Sequence, residues 1–526
     1  MKFPVTASVL IAGAGPSGLM MAAQLLRYGI QPVIIDSKTA PSQHSKALAI
    51  QARSMEIFSQ MGIAESFMSE GNTAKNFVLQ EGEDEIARID LSTIGAGKTP
   101  FPFVLILEQN KTERILLDYL TKNACPVFWN CSLTTIDQHA EETIVTVNCN
   151  GKNQTISCDW MIAADGAHST VRKKLTIPFT GGTYEQKFFL ADLVIQQRLN
   201  SNAIRLFLKE EGFTGLFPLQ NNTVRFIGVL PKTLRERENL RFEDIKPYLT
   251  YSLDFPLEED KCSWFATYQL HHRMAAQFKM QRCFLIGDAA HIHSPAGGQG
   301  MNTGLQDAYN LAWKIAGVIN KEFDPAILNT YAEERIPVAR KLLKTTDRLF
   351  SLAVAQSWFM KIARRFILPL LVKRIWKGER ITERIFSLIS QTGISYRDSK
   401  LSVHHSLATG YQAGDRLPYI KFYDEKLKEE TDLHAWCNKT GFTLIVIGKL
   451  SERDILALAK WIKQSYVFTL NFYYLPYSKR NQSVFDSFEI RKNGKKAIIV
   501  RPDLHIGYMN DIVDIELIDG YFKEIL

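Results

Sequence analysis

Three stretches of this chain set an acidic side chain and glycines at the end of an apolar run. Gly13-Ala14-Gly15-Pro16-Ser17-Gly18 follows Ser8 to Ala12, and Asp36 closes the apolar Val33 to Ile35. Asp165-Gly166-Ala167-His168-Ser169-Thr170-Val171-Arg172 follows Trp160 to Ala164. The longest, Cys283 to Ala316, reads CFLIGDAAHIHSPAGGQGMNTGLQDAYNLAWKIA. It holds Gly287-Asp288, then a loop with Pro295, Gly297, Gly298 and Gly300, then Leu305, Ala308, Leu311, Ala312 and Ile315 at helical spacing. Glycines let a backbone pass close to a ligand. A helix N-terminus offers unpaired N–H groups and partial positive charge to an anion. Taken singly, each stretch also reads as a plain Gly-rich strand-to-helix turn, since glycine marks turns in many contexts.

The elements around these residues narrow the choice. Ser8–Ala12 reads as a strand, Leu19–Tyr28 as a helix stopped by Gly29, and Val33–Ile35 as a second strand. This is the βαβ setting of a dinucleotide fingerprint. Gly13 makes the tight turn, Gly15 meets the pyrophosphate, Gly18 permits close helix–strand packing, and Asp36 accepts from a ribose hydroxyl. The fingerprint does not separate NAD from FAD. Phe103–Leu107 reads as a strand ended by Glu108-Gln109-Asn110, before a helix carrying Glu113, Leu116, Leu117 and Leu120. Gln109 there reads as a polar helix cap. Val127–Thr135 and Thr143–Val147 suggest a small antiparallel sheet. From Phe179 to Met274 helical periodicity is sparse, and five strand-like runs suggest a mostly antiparallel sheet inserted between two parts of the first domain. Three strand ends then converge on one ligand, where open α/β sheets bind cofactors.

The chain has 526 residues, room for two to four domains, and a formal charge of +8 without a Lys/Arg-rich arm for nucleic acid. Its seven cysteines form no C-x-x-C pair, and their odd number argues against a disulfide framework and for a reducing cytoplasm. No metal site is indicated. No signal peptide or uninterrupted apolar run of membrane-spanning length is evident. Trp358 to Arg380 is apolar and basic; packing against other helices is preferred over membrane-surface contact.

Together the three motifs resemble the single-component (class A) FAD-dependent aromatic hydroxylases, in particular the phenol hydroxylase and polyketide hydroxylase branch. The resemblance implies an α/β fold. A Rossmann-like FAD-binding domain (1–178 and 275–350) holds an inserted, mostly antiparallel substrate sheet (179–274). A helical linker (351–403) and a thioredoxin-like C-terminal α/β domain (404–526) follow. It implies FAD as cofactor, with contacts carried onto Gly13, Gly15, Pro16, Ser17, Gly18 and Asp36. Further contacts fall on Lys46, Arg53, Gln109, Leu133 near the adenine, Asp165 and Gly166. In the third motif Gly287 and Asp288 face the ribityl chain, and Pro295, Gly298, Gly300, Met301 and Asn302 face the ring. Lys46 stands where many members carry Arg, and a point charge lacks the planar bidentate contact. As a pair, Lys46 and Arg53 also read as solvated charges.

The resemblance further implies NAD(P)H and dioxygen as co-substrates. One oxygen is transferred to an aromatic or polyketide-like small molecule by a flavin C4a-hydroperoxide. Backbone N–H groups near Met301 and Asn302 would stabilise the anionic reduced flavin, and Gly300 would approach its pyrimidine edge. No general base is dictated. Pro295, His293 and Arg225 are the candidate catalytic residues, of which His293 could take a proton from a phenol, with Arg225, Phe226, Tyr268 and Phe213 expected to line the substrate pocket or to pack within the sheet. The C-terminal domain lacks C-x-x-C, with Cys437 alone, so docking or homodimerisation is expected there in place of thiol chemistry. Two other readings stay open: a flavoprotein that inactivates an antibiotic by the same chemistry, and an FAD-binding sensor.

Overall fold

The computed structural model describes residues 3–43, 47–82, 84–195, 202–209, 212–250, 262–294, 298–354 and 379–526. Lys46, Pro295, Gly297 and most of the apolar, basic stretch after Trp358 lie outside these residues.

The first sheet explains why three distant motifs meet. Strand β1 (Thr6–Ala12) leads into helix α1 (Pro16–Arg27) and strand β2 (Val33–Ile35). Helix α2 (Gln109–Lys122) and strand β3 (Lys152–Ala163) come later in the chain. β1 pairs in parallel with β2 on one side and β3 on the other. Val9 to Ala12 are buried, as a strand covered on both faces requires. The short strand Cys283–Leu285 pairs in parallel with β3 through Met161 and Cys283. With Val127–Phe128, which pairs in parallel with β2, five parallel strands lie side by side among the described residues, and their carboxyl ends open onto one edge.

A hairpin of Cys131–Gln138 and Thr143–Cys149 runs antiparallel beside β3. The expected strand from Val127 to Thr135 is broken, because Asn130 takes φ 54°. Val127–Phe128 pairs with β2, and the chain turns into the hairpin only at Cys131. The register places Cys131 opposite Cys149, and their sulfurs form a disulfide. This corrects the cysteine reading. Parity of the count says nothing about which two cysteines a ladder sets face to face, and cysteine usage no longer argues for a reducing compartment.

The second sheet has eight strands and is antiparallel apart from one pair, Ala203–Lys209 with Asn76–Glu81. Its centre is β4 (Phe179–Val194), paired with β5 (Thr223–Val229) and β6 (Cys262–Ala275). It also recruits Asn76–Glu81 and Asp84–Asp90 from before residue 179, and His291–Ile292 from the third motif. Alternation sorts its side chains. Leu190, Ile227, Trp264 and Tyr268 cluster with Ala49, Val104 and Ile106 of the first domain. Phe189, Ala191 and Phe226 belong to a separate core with Ile245 and Leu249 of the helix Phe242–Thr250. Phe226 is thus not a pocket residue: it neighbours Arg225, and a one-residue step reverses the face.

Helix α3 (Gly300–Ile319) follows the third motif, and helix α4 (Asn329–Val354) follows it. The C-terminal region holds a five-stranded mixed sheet. Phe442–Gly448 pairs in parallel with Leu470–Leu475 across the helix Glu452–Ser465, and antiparallel with Lys495–Val500. Ile506–Asn510 then returns antiparallel, and the helix Ile515–Ile525 closes the chain. Among the described residues no helix is long and apolar enough to cross a membrane.

Candidate active site

The first motif is built by steric exclusion. Gly13 has φ 105°, and a Cβ there would lie 2.3 Å from the Ala164 carbonyl oxygen. A Cβ on Gly18 would lie 1.9 Å from the Gly13 carbonyl oxygen. Gly15 is different: nothing stands within 4 Å of its missing side chain. It is a shelf open to a ligand, and α1 begins at Pro16 beyond it with no side-chain cap on its free N–H groups. Asp36, at the end of β2, accepts from Ala14 N at 2.7 Å and Lys38 N at 2.8 Å. Ser17 is wedged against the third motif. Its Oγ would lie 2.3 Å from a Cβ on either Gly287 or Gly304.

The second motif repeats the design. Gly166, at φ 78°, has open space where a side chain would be. Asp165 Oδ2 accepts from Val171 N at 3.1 Å, whereas Oδ1 is buried without a partner. Burial raises the Asp165 carboxyl, against the opposing hydrogen bonds from Ser169 and backbone N–H groups. Arg172 donates to the carbonyls of Ala289 at 2.7 Å and Ala167 at 2.8 Å, and its guanidinium lies 3.7 Å from the Phe179 ring centroid. It ties this motif to the turn after Asp288. Beside it is a cavity of about 470 Å³ lined by His168, Arg172, Lys173, His271 and Arg273, with no carboxylate in its wall.

In the third motif Asp288 sits in a recess, densely surrounded by protein yet with its own surface open. It accepts no hydrogen bond from the described residues. Burial raises its carboxyl, and His291 offsets only part of that. α3 starts at Gly300 behind Gln299, again without a side-chain cap. Met301 is half-buried there. The Asn302 side chain is fully engaged: Oδ1 accepts from Gln51 N and Ser54 Oγ, and Nδ2 donates to the carbonyls of Ala49 and Gly298. Only its backbone N–H remains for a ligand. Gly298 takes φ 62°, and a Cβ there would press on Ala49 at 2.7 Å. A Cβ on Gly300 would meet His293 Nε2 at 3.2 Å. Its missing side chain therefore faces an imidazole.

The remaining expected residues divide. Gln109 Nε2 donates to Glu113 Oε1 at 2.8 Å at the start of α2. Leu133 is half-buried in the hairpin whose first residue, Cys131, donates its N–H to the Asp36 carbonyl. Arg53 points elsewhere. Its guanidinium bonds Glu56 Oε2 at 3.1 Å and the Asp503 carbonyl at 2.7 Å, so it serves the junction with the C-terminal region. His293 is neutral near pH 7, since burial lowers it to about 4 despite the bond from Nδ1 to the Ser294 carbonyl. A base so weak takes little from a phenol. Arg225 is buried in a two-pronged pair with Asp192, both bonds 2.7 Å, with Trp264 5.0 Å away. Tyr268 is half-buried on the same face, and Phe213 packs with it.

Glu113 was not among the expected ligands. It is buried, Oε2 has no partner, and burial raises its carboxyl in spite of Gln109. The signal was present, as Glu113 stands one helical turn after Gln109 and shares its face. Open shelves at Gly15 and Gly166, free helix starts at α1 and α3, and unpaired carboxyl oxygens of Asp165, Glu113 and Asp288 together fit a long ligand. That ligand carries a diphosphate and several hydroxyls, and FAD meets both requirements.

Comparison with known proteins agrees. The FAD binding domain family matches residues 6–346, and the phenol hydroxylase C-terminal dimerisation domain matches residues 459–526. Pentachlorophenol 4-monooxygenase of Sphingobium chlorophenolicum is 34% identical over 462 residues, spanning 84% of this chain and 80% of that protein. 6-Methylpretetramide 4-monooxygenase of Streptomyces rimosus is 32% identical over 402 residues, spanning 75% and 71%. The solved ternary complex of aklavinone-11 hydroxylase with FAD and aklavinone superposes with TM-score 0.83 over 99% of both chains, at 20% identity, a likeness of fold.

Proposed function

Since the chain belongs to the FAD-binding family of aromatic and polyketide monooxygenases and is an FAD enzyme of that kind, we propose that it hydroxylates an aromatic or polyketide-like small molecule with NAD(P)H and dioxygen. The observation that carries this reading is the pairing of two surfaces. Parallel strand ends form a polar cofactor edge, and the second sheet sets Leu190, Ile227, Trp264 and Tyr268 in one apolar cluster with Ala49, Val104 and Ile106 of the first domain. An apolar, ring-lined wall against a flavin site suits a flat, poorly charged substrate. Bound FAD supplies two-electron redox chemistry and the activation of dioxygen.

The chain's own residues have separable tasks in this proposal. Gly15 and the start of α1 hold the diphosphate, Asp36 and Glu113 the ribose, and Asp165 and Asp288 the ribityl hydroxyls. The free N–H groups at the start of α3 stabilise negative charge that develops on the reduced ring. The Arg225–Asp192 pair, neutral as a unit, orients substrate without placing net charge in the wall. His293, uncharged, offers Nε2 as an acceptor. The basic cavity beside His168, Lys173 and Arg273 supports docking of the nucleotide diphosphate of NAD(P)H.

The C-terminal topology, a βαβ unit followed by an antiparallel hairpin and a helix, supports a thioredoxin-like domain. Burial raises the Cys437 thiol to about 12, which favours docking or homodimerisation over redox work. The expected domain limits stand within this proposal, with Asn76–Asp90 added to the substrate sheet. The test is direct. Purified protein is expected to be yellow, to release FAD on acid treatment, and to oxidise NAD(P)H faster with a phenol or polyketide that gains one oxygen by mass. A protein that binds FAD but shows no ligand-stimulated oxidation across such a panel would refute the catalytic reading.

A further inference from the structure

The turn that carries Asp288 is held from behind by a residue that touches no ligand. Asp307, on α3 and buried, accepts from Gly287 N at 3.0 Å and from His291 Nε2 at 2.7 Å through one oxygen. Its other oxygen accepts from Arg335 Nε at 2.6 Å. Gly287 and His291 bracket Asp288, so one carboxylate fixes both ends of the turn. Arg335, on α4 and buried, also donates to the Thr303 carbonyl at 3.1 Å, in the first turn of α3. It therefore sets the strand end and the helix start, the two sides of the flavin loop, at one spacing. Its third contact is to Tyr396 Oη at 2.9 Å. Tyr396 in turn is anchored to the C-terminal region, donating its N–H to the Gly414 carbonyl and lying 4.3 Å, ring to ring, from His505.

We propose that Asp307 and Arg335 are positioning residues of the flavin loop, and that Tyr396 makes their position depend on the C-terminal region. Both Asp307 oxygens and all three Arg335 nitrogens are engaged, which holds this buried charged pair to one geometry. Burial alone would raise the Asp307 carboxyl, but Arg335 and His291 hold it below the usual range, so it stays an acceptor for all three donors. Three further bonds clamp the same helix start from the segment after residue 387. Gln299 Nε2 reaches the Leu388 carbonyl, Gln391 Nε2 reaches Thr303 Oγ1, and Gln306 Nε2 reaches Gln391 Oε1. The C-terminal region is thus wired to the cofactor edge, not merely appended to it.

This inference rests on Asp288 and the start of α3 facing the flavin, and the experiment separates the two. Holoenzymes carrying Tyr396→Phe, Asp307→Asn, Asp288→Asn and Ser399→Ala are compared by FAD release rate, visible spectrum, flavin midpoint potential and Tm. Ser399 Oγ bonds Glu334 Oε1 at the same α4 junction but has no bond to Asp307, so it reports a purely structural loss. Tyr396→Phe is expected to speed FAD release about five- to tenfold and to shift the potential and spectrum, Asp307→Asn to do more, and Ser399→Ala to lower Tm only. Should Asp307→Asn fail to fold, Tyr396→Phe carries the test. Equal Tm losses in Tyr396→Phe and Ser399→Ala, with FAD release and potential unchanged in both, would overturn the relay. If Asp288→Asn releases FAD fast while Tyr396→Phe does not, the relay alone falls. If both are silent, the placement of the flavin falls with it.

Discussion

Asp288→Asn offers the sharpest test of the cofactor edge, because the wild-type carboxyl is raised and unpartnered before ligand arrives. Burial favours its protonated form. Such a group destabilises the fold as pH rises through its pKa, since the folded chain then binds more protons than the unfolded one. FAD hydroxyls that donate to the carboxylate reverse the preference and draw the pKa down. Binding is therefore linked to proton release. FAD affinity should be full at neutral pH and fall as pH drops through the raised pKa, by up to about tenfold per unit for one proton. A hydrogen bond to a charged group is worth about 1.5–3 kcal/mol, so Asp288→Asn should weaken FAD about 10- to 150-fold at pH 7.5. The variant should also lose part of the acid-side slope. Asp165 and Glu113, raised for the same reason, keep the rest. FAD fluorescence on release, measured from pH 5 to 8 in both proteins, gives affinity and slope together. Equal affinity at pH 7.5, or an identical slope in the variant, would refute the assignment of Asp288 to the ribityl chain.

Three other outcomes follow from particular contacts. Gly15→Ala has free space around it and should leave the fold within roughly 0.5 kcal/mol while weakening FAD, whereas Gly300→Val should push the His293 imidazole and move the flavin potential by tens of millivolts; thermal melts and potential titrations distinguish them, and reversed effects would sink the shelf argument. Cys131→Ser should cost about 3 kcal/mol, the chain-entropy estimate for a loop of this length, seen as a fall in Tm that reductant reproduces in the parent; equal melting with and without reductant would show that the bridge adds nothing. Cys437→Ser should leave turnover unchanged, and a large loss with an intact fold would reveal a thiol role.

The cofactor edge was legible because its grammar is local. A glycine that must take φ 105°, or a carboxylate one residue past an apolar run, is written within six residues of its neighbours. Which of its two expected places Phe226 takes, pocket lining or sheet packing, was not legible because a strand's face depends on register, and Arg225 beside it was visible only as one charge without Asp192. Arg53 failed for a longer-range reason. Its family position suggested the flavin, but the Asp503 carbonyl that claims it lies far along the chain. The disulfide and the Asp307–Arg335–Tyr396 contacts are equally non-local. Glu113 was readable, as the next residue on the face of Gln109, and was seen only as part of a helix.

The chain passes from Leu285 in the first sheet to His291 in the second within five intervening residues, and Asp288 is the middle one. Met274 of β6 pairs directly with His291, and Ala275 N donates to the Ala290 carbonyl at 2.7 Å. A shift of β6 by a fraction of an ångström thus reaches the cofactor turn with no compliant segment to absorb it. Substitutions at the far end of β6, around Trp264, are expected to disturb this turn less than those at the end that abuts the tether. Replacements near Met274 should show up first as loosened flavin and wasted reductant, before any change in which molecule is oxidised.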